Sequence, residues 1–193
     1  MVDESATGSA NLWSGSDGRA VIGEGVAIDR GTFFSIMGAF PTGVAIFTTV
    51  DGGGSPRGLT SNAFSSVSAE PPLLLVCVDR GSRTLPALRE SRRFLVNLMS
   101  AGSGELCTLF ASKATDKFRG VAWRPFVGGL PHLHEDSIAW ALCGTVEEIE
   151  AGDHVILFGR VEDGEAPAVE STPLLYFRRT YGAWSPPQPA PQP

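Results

Sequence analysis

A chain of 193 residues with 42% hydrophobic side chains fits one soluble domain that buries roughly two-thirds of its unfolded surface. Its net charge of −6 leaves no basic surface to hold a phosphate backbone, which argues against nucleic acid as a partner. The acidic start Met1-Val2-Asp3-Glu4 and the shortness of the longest apolar run, Leu73 to Val78, predict a cytoplasmic chain with no membrane span. The three cysteines, Cys77, Cys107 and Cys143, form no C-x-x-C pair and read as small hydrophobes in a reducing compartment.

Residues 1–27 are rich in Gly, Ser, Ala and acidic side chains without periodicity, so they are expected to be mobile. Asp29 can cap a short helix in which Phe33, Phe34, Ile36 and Met37 recur at helical spacing, ending before Pro41. Val44 to Val50 is a β-branched and aromatic run, and Asp51-Gly52-Gly53-Gly54 is a turn signal. Arg57 to Ser68 reads as the second extended arm of that hairpin. Pro71-Pro72 bars helix and starts the strand Leu73 to Val78, after which Ser82 or Thr84 can cap a short helix through Arg89. Phe94 to Leu98 reads as a strand and Glu105 to Ala111 as a helix. The polar, glycine-bearing stretch Lys113 to Pro131 reads as a long irregular crossing of the kind that carries function. Ile138 to Ile149 and His154 to Val161 flank Ala151-Gly152-Asp153 as a second hairpin, Leu174 to Phe177 adds a strand, and the Pro/Gln-rich residues 185–193 read as disordered. About six or seven mostly antiparallel strands with few helices and no βαβ rhythm argue for a closed or half-open antiparallel barrel over residues 28–184.

No phosphate-binding glycine loop, hydrolase elbow or zinc-protease motif is present. His132-Leu133-His134-Glu135-Asp136 gathers imidazoles and carboxylates, but its polarity reads as a solvated loop and not as a metal site.

Three groups of residues carry a more specific signal. They are Phe40-Pro41-Thr42-Gly43-Val44, Arg57-Gly58-Leu59-Thr60-Ser61-Asn62-Ala63-Phe64-Ser65-Ser66-Val67-Ser68, and the step Pro71-Pro72-Leu73. Downstream, Asp79-Arg80-Gly81-Ser82-Arg83-Thr84, Phe94-Leu95-Val96-Asn97-Leu98, Asp116-Lys117-Phe118, Gly152-Asp153-His154 and Leu174 to Gly182 continue the pattern in order. Together they resemble the flavin reductase family of two-component monooxygenase systems. Ala63 stands where that family often carries serine.

The resemblance implies an FMN-binding split barrel, a six-stranded antiparallel Greek-key barrel with few helices that pairs as a homodimer. It implies hydride transfer from NADH or NADPH to FAD or FMN, with the reduced flavin passed to a separate flavin-dependent monooxygenase. By the same resemblance, Thr60, Ser61, Asn62 and Ala63 line the isoalloxazine and ribityl chain. Ser82 and Thr84 hold the phosphate, with Arg83 or Lys117 adding charge and Phe118 packing nearby. Asn97 and Leu98 face the pyrimidine side of the ring, and Thr42, Ser65, Ser66, Cys77 and Asp79 complete the expected cofactor contacts. His154 is expected beside the nicotinamide as the catalytic residue, while Tyr181 and Arg178 are placed to cover the site or reach the dinucleotide.

Each residue also has an ordinary role: Ser82 or Thr84 as helix caps, Lys117 as a surface charge, Asn97 as a turn former, His154 as an imidazole bonded at a strand end. FAD against FMN, and NADH against NADPH, stay open, since Arg80, Arg83 or Arg178 can meet a 2′-phosphate or only solvent. An electron carrier on the same barrel, holding flavin without nicotinamide turnover, is the alternative. An oxidase acting on a phosphorylated amine would need a larger basic cluster than Arg178-Arg179.

Overall fold

The computed structural model describes residues 28–166 and 171–184. The two tails expected to be mobile, 1–27 and 185–193, lie outside the described residues. Helix α1 spans Arg30–Gly38, and the Asp29 carboxylate accepts from the N–H groups of Gly31 and Thr32 as expected of an N-cap. Its helical spacing is as read, yet α1 buries no residue: Phe33, Phe34, Ile36 and Met37 are all exposed.

A short β1 (Thr42–Gly43) precedes β2 (Ala45–Val50), which turns through Asp51 to Ser55 into β3 (Pro56–Ser61). Gly54 sits at φ +75° in that turn and donates to the Asp51 carbonyl, a conformation glycine adopts at no steric cost. The extended arm expected from Arg57 to Ser68 is broken. At Asn62-Ala63 the chain leaves β2 and restarts as β4 (Phe64–Ala69), paired with β5 (Pro72–Asp79). Two hydrogen bonds hold the break, one local and one across to β5: the Ser61 hydroxyl accepts from the Ala63 N–H, and the Ala63 carbonyl accepts from Cys77 N–H.

Then come α2 (Leu85–Ser91), β6 (Arg93–Met99), α3 (Gly104–Ala111), and a crossing that holds β7 (Arg124–Pro125) and β8 (Pro131–His132). The long hairpin β9 (Ser137–Ala151) and β10 (His154–Glu165) follows, then β11 (Leu174–Phe177) and β12 (Thr180–Ala183). β12 escaped the sequence reading, since Thr-Tyr-Gly-Ala offers too short a run to register.

Seven strands form one antiparallel sheet in the order β3-β2-β6-β9-β10-β5-β4. The mainly β expectation holds. The six-stranded count does not, and the ladder is open: β3 and β4 are its two edges although they are consecutive in the chain.

Strand β2 is buried on both faces. Ala45 and Phe47 enter a core with Val76, Phe94, Val155 and Leu157, whereas Val44 and Ile46 pack with Cys107 and Phe110 of α3 and with Leu133. The period-2 alternation of a strand therefore serves two cores. Full burial of a side chain such as Phe47 contributes about 1.5–3 kcal/mol.

The segment His132–Asp136 is not the solvated loop expected. Leu133 is fully buried and its N–H donates to the Asn97 side-chain oxygen at 3.0 Å, and the His134 side chain is only 18% exposed. Among the described residues no group of three or more potential metal ligands occurs, and no helix is long and apolar enough to cross a membrane.

Candidate functional site

The break between β3 and β4 opens a groove of about 690 Å³. Its floor is the run Leu59 to Ala63 at the end of β3, and because β3 pairs only with β2, its other edge presents backbone groups there. One wall is the end of β5, with Cys77, Val78 and Asp79, joined by Ser82, Arg83 and His154. The opposite wall is the end of α3 and the start of the crossing, from Phe110 to Ala114, with Lys117. Most of the residues singled out in the sequence thus meet in one concavity, drawn from five separated stretches of chain.

Several of the hydroxyls and amides there are already committed. Thr60 Oγ1 donates to the Cys107 carbonyl at 2.7 Å, tying β3 to α3, and Asn62 Nδ2 donates to Thr42 Oγ1 at 3.0 Å. Thr42 therefore bonds Asn62 from outside the groove. The Asp79 carboxylate accepts from Gly81 N–H at 2.6 Å, and the Asp79 carbonyl accepts from Ser82 N–H, so this acid shapes the loop that carries Ser82 and Arg83.

Cations gather at one end. Lys117 Nζ donates to the carbonyls of Phe110 at 2.6 Å and Gly58 at 3.3 Å, which leaves a third N–H for a ligand. Burial, and then the nearby Arg83, push its pKa down. Arg83 has no acidic partner among the described residues, and Lys113 lines the same wall. In a chain of net charge −6, this local excess of positive charge suits a phosphate.

His154 lies directly across the ladder from Asp79. Its Nδ1 bonds the Asp153 carboxylate at 2.7 Å, which in the neutral imidazole puts the proton on Nδ1 and leaves Nε2 as an acceptor. That hydrogen bond, and then the imidazole's charge, hold the Asp153 carboxyl below its ordinary range.

Other expected site residues lie elsewhere. Asn97 is fully buried, donates to the Ile46 carbonyl and Thr48 hydroxyl, and accepts from Leu133 N–H. It is a core amide that ties β6 to β2 and to the crossing, with no surface in the groove. Leu98, paired with Ala45, packs on the core. Ser65 and Ser66 are exposed on the edge strand β4, and the Ser65 hydroxyl donates to the Ser66 carbonyl.

Thr84 holds the N-cap position of α2, yet its hydroxyl donates to the Gly58 carbonyl at 2.8 Å instead of capping. Thr84 and Phe118 line a neighbouring groove, and the Phe118 ring meets Phe110 edge-on at 4.9 Å. Tyr181 stacks near Tyr176 at 5.2 Å, and the Arg178 guanidinium lies over Phe177.

Lys113 and Ser112 of the groove went unnoticed in the sequence. The only available signal was the spacing of Lys113 four residues before Lys117.

The arrangement fits a flavin. A polar strand edge suits the ring and ribityl chain, the half-buried Cys77 offers apolar cover, and Lys117 suits a phosphate.

Comparison with known proteins agrees. A flavin reductase (NADH) of Kitasatospora aureofaciens is 45% identical over 158 residues, covering 81% of this chain and 83% of that protein. The reductase subunit HsaB of a flavin-dependent monooxygenase from Mycobacterium tuberculosis (strain CDC 1551 / Oshkosh) is 40% identical over 80% of this chain and 82% of its own length. Among solved structures, the Streptomyces globisporus C-1027 NADH:FAD oxidoreductase SgcE6 in complex with NAD and FAD fragments superimposes with a TM-score of 0.76 at 30% identity. That match covers 82% of this chain and 94% of SgcE6. Since residues 37–185 also match the flavin reductase like domain, the chain belongs to the flavin reductase-like family.

Proposed function

We propose that the protein is an NAD(P)H:flavin oxidoreductase that moves a hydride from NADH or NADPH to FAD or FMN and supplies reduced flavin to a separate monooxygenase. The observation that carries this reading is the convergence of the β3 edge, His154 and Lys117 on one groove. Bound flavin supplies the hydride acceptor, and the chain binds, orients and shields it.

Lys117, with Arg83 and Lys113, would hold the flavin phosphate. The β3 edge offers hydrogen bonds to the ring's polar rim, and β5 covers one face. His154, oriented by Asp153, would be the residue of this groove that positions the nicotinamide, with Nε2 free to exchange a proton. Hydride transfer requires no strong base, so His154 tunes the step without being indispensable to it.

Residues 28–184 form the catalytic unit on this reading, a half-open split barrel whose edges β3 and β4 are joined at Asn62-Ala63. The exposed apolar side of α1, with Phe33, Phe34, Ile36 and Met37, supports a homodimer in which a second copy covers it. The cytoplasm supplies both nicotinamide and reduced thiols and is the proposed location.

Steady-state oxidation of NADH and of NADPH by the purified protein, with FAD, FMN or no flavin added, tests the reading. Turnover that saturates with added flavin supports it. A flavin-bound protein without turnover would instead favour an electron carrier.

A further inference from the structure

At the break between β3 and β4 the Asn62 Nδ2 donates to Thr42 Oγ1 at 3.0 Å. Asn62 lines the groove, whereas Thr42 does not. We infer that Thr42 is a positioning residue, which fixes the Asn62 amide so that its carbonyl oxygen Oδ1 is the group offered to the flavin. The inference rests on the flavin occupying this groove.

The chemistry of the amide is the first argument. A carboxamide has one donor end and one acceptor end. With Nδ2 committed to Thr42, the free end is Oδ1, which accepts no hydrogen bond among the described residues. The neighbouring hydroxyls are tied to the chain: Thr60 donates to the Cys107 carbonyl, and the Ser61 oxygen receives the Ala63 N–H.

Recognition is the second. An oxidised flavin ring carries a single N–H, at N3, beside several acceptor atoms, and the ribityl chain adds hydroxyls. Oδ1 meets one of these donors, while an amide turned over would select the acceptor atoms instead. Thr42 thereby decides which edge of the ligand this position reads.

The third argument is the firmness of the post. Thr42 lies on β1 opposite Tyr176 of β11, and two residues on, Val44 is buried and its carbonyl accepts from Met99 N–H. Asn62 itself is exposed in a two-residue break between strands, where an untethered amide turns over freely. Holding the amide before the ligand arrives removes that ordering cost from binding.

A double-mutant cycle in the full chain, read by titration with riboflavin and with FMN, tests the inference. Thr42→Val keeps the branched shape and removes the hydroxyl. It is expected to weaken both flavins alike by about three- to tenfold, the worth of one neutral hydrogen bond. Thr42→Ser is expected to stay within about twofold of the unsubstituted protein. In an Asn62→Ala background, Thr42→Val is expected to add less than about twofold, because nothing is left to position. In turnover, Thr42→Val is expected to raise the flavin KM and leave kcat within about twofold. Asn62→Asp keeps an acceptor, to which the Thr42 hydroxyl can donate in turn, and is expected to bind uncharged riboflavin within about threefold.

An unchanged affinity in Thr42→Val, no rescue by Thr42→Ser, or losses that multiply with Asn62→Ala would overturn the inference. So would a fall in kcat at unchanged flavin KM, or a loss in Asn62→Asp as large as in Asn62→Ala. Failure of both flavins to bind the unsubstituted protein would instead overturn the flavin reading beneath it, and the inference with it.

Discussion

Lys117 Nζ lies 2.6 Å from the Phe110 carbonyl oxygen, so the last turn of α3 holds the one lysine whose position both grooves share. Two carbonyls fix the ammonium without neutralising it, and its charge remains for an anion.

Lys117→Met is therefore expected to weaken FMN binding by about ten- to a hundredfold, the worth of a charge-assisted hydrogen bond of about 1.5–3 kcal/mol. Riboflavin, which lacks the phosphate, is expected to bind both forms equally. Comparative titration of the two ligands checks this.

The same lysine sets a pH dependence. Burial and Arg83 lower its folded pKa below the ordinary lysine value, so the unfolded chain holds that proton to higher pH than the folded one. Between the folded and unfolded values the unfolded state binds more protons, so charge burial at Lys117 opposes folding at neutral pH and this penalty is relieved as pH rises. Phosphate binding has the opposite sign, because it needs the ammonium. The advantage of FMN over riboflavin is expected to fade on the alkaline side before an ordinary lysine would titrate, and titrations of both ligands across that range would show it.

His154→Ala is expected to slow flavin reduction by on the order of tenfold, about 1.4 kcal/mol, without abolishing it. Asp153→Asn, which keeps a hydrogen-bonding group on Nδ1, is expected to have a smaller effect. Stopped-flow reduction rates at saturating nicotinamide separate the two variants.

Cysteine reactivity reports on the groove. Burial pushes the Cys107 and Cys143 thiols up to about 12, and both are fully buried. Cys77 is also raised by burial but lines the groove, so a thiol reagent at neutral pH is expected to label Cys77 alone, and slowly. FMN is expected to protect it. Mass spectrometry of the labelled protein, with and without flavin, gives the answer.

Gly58 has a packing requirement. A Cβ there would lie 2.6 Å from Phe110 Cε1 and 3.3 Å from the Phe47 carbonyl oxygen. Gly58→Ala is expected to cost about 1–3 kcal/mol, read as a lower urea midpoint, and to disturb the carbonyl that Thr84 and Lys117 share.

Much of this was legible in the sequence because it is local. Apolar alternation marks β2, β5, β6, β9 and β10, and the Asp29 cap and the glycine turns need only a few neighbouring residues. The polar run from Thr60 to Ala63 is marked as cofactor-lining by its resemblance to the flavin reductase motifs.

The rest depends on partners far along the chain. Nothing near Asn97 reveals that Ile46, Thr48 and Leu133 will surround it, and nothing near Thr84 reveals the Gly58 carbonyl. The break at Asn62-Ala63 depends on Cys77 on another strand.

The most direct test of the central claim is anaerobic mixing of the flavin-loaded protein with NADH or NADPH while the flavin absorbance is followed. Rapid bleaching with at least one nicotinamide, slowed in His154→Ala and weakened in flavin affinity by Lys117→Met, is the expected result. Flavin that binds yet stays oxidised with both nicotinamides would contradict the account.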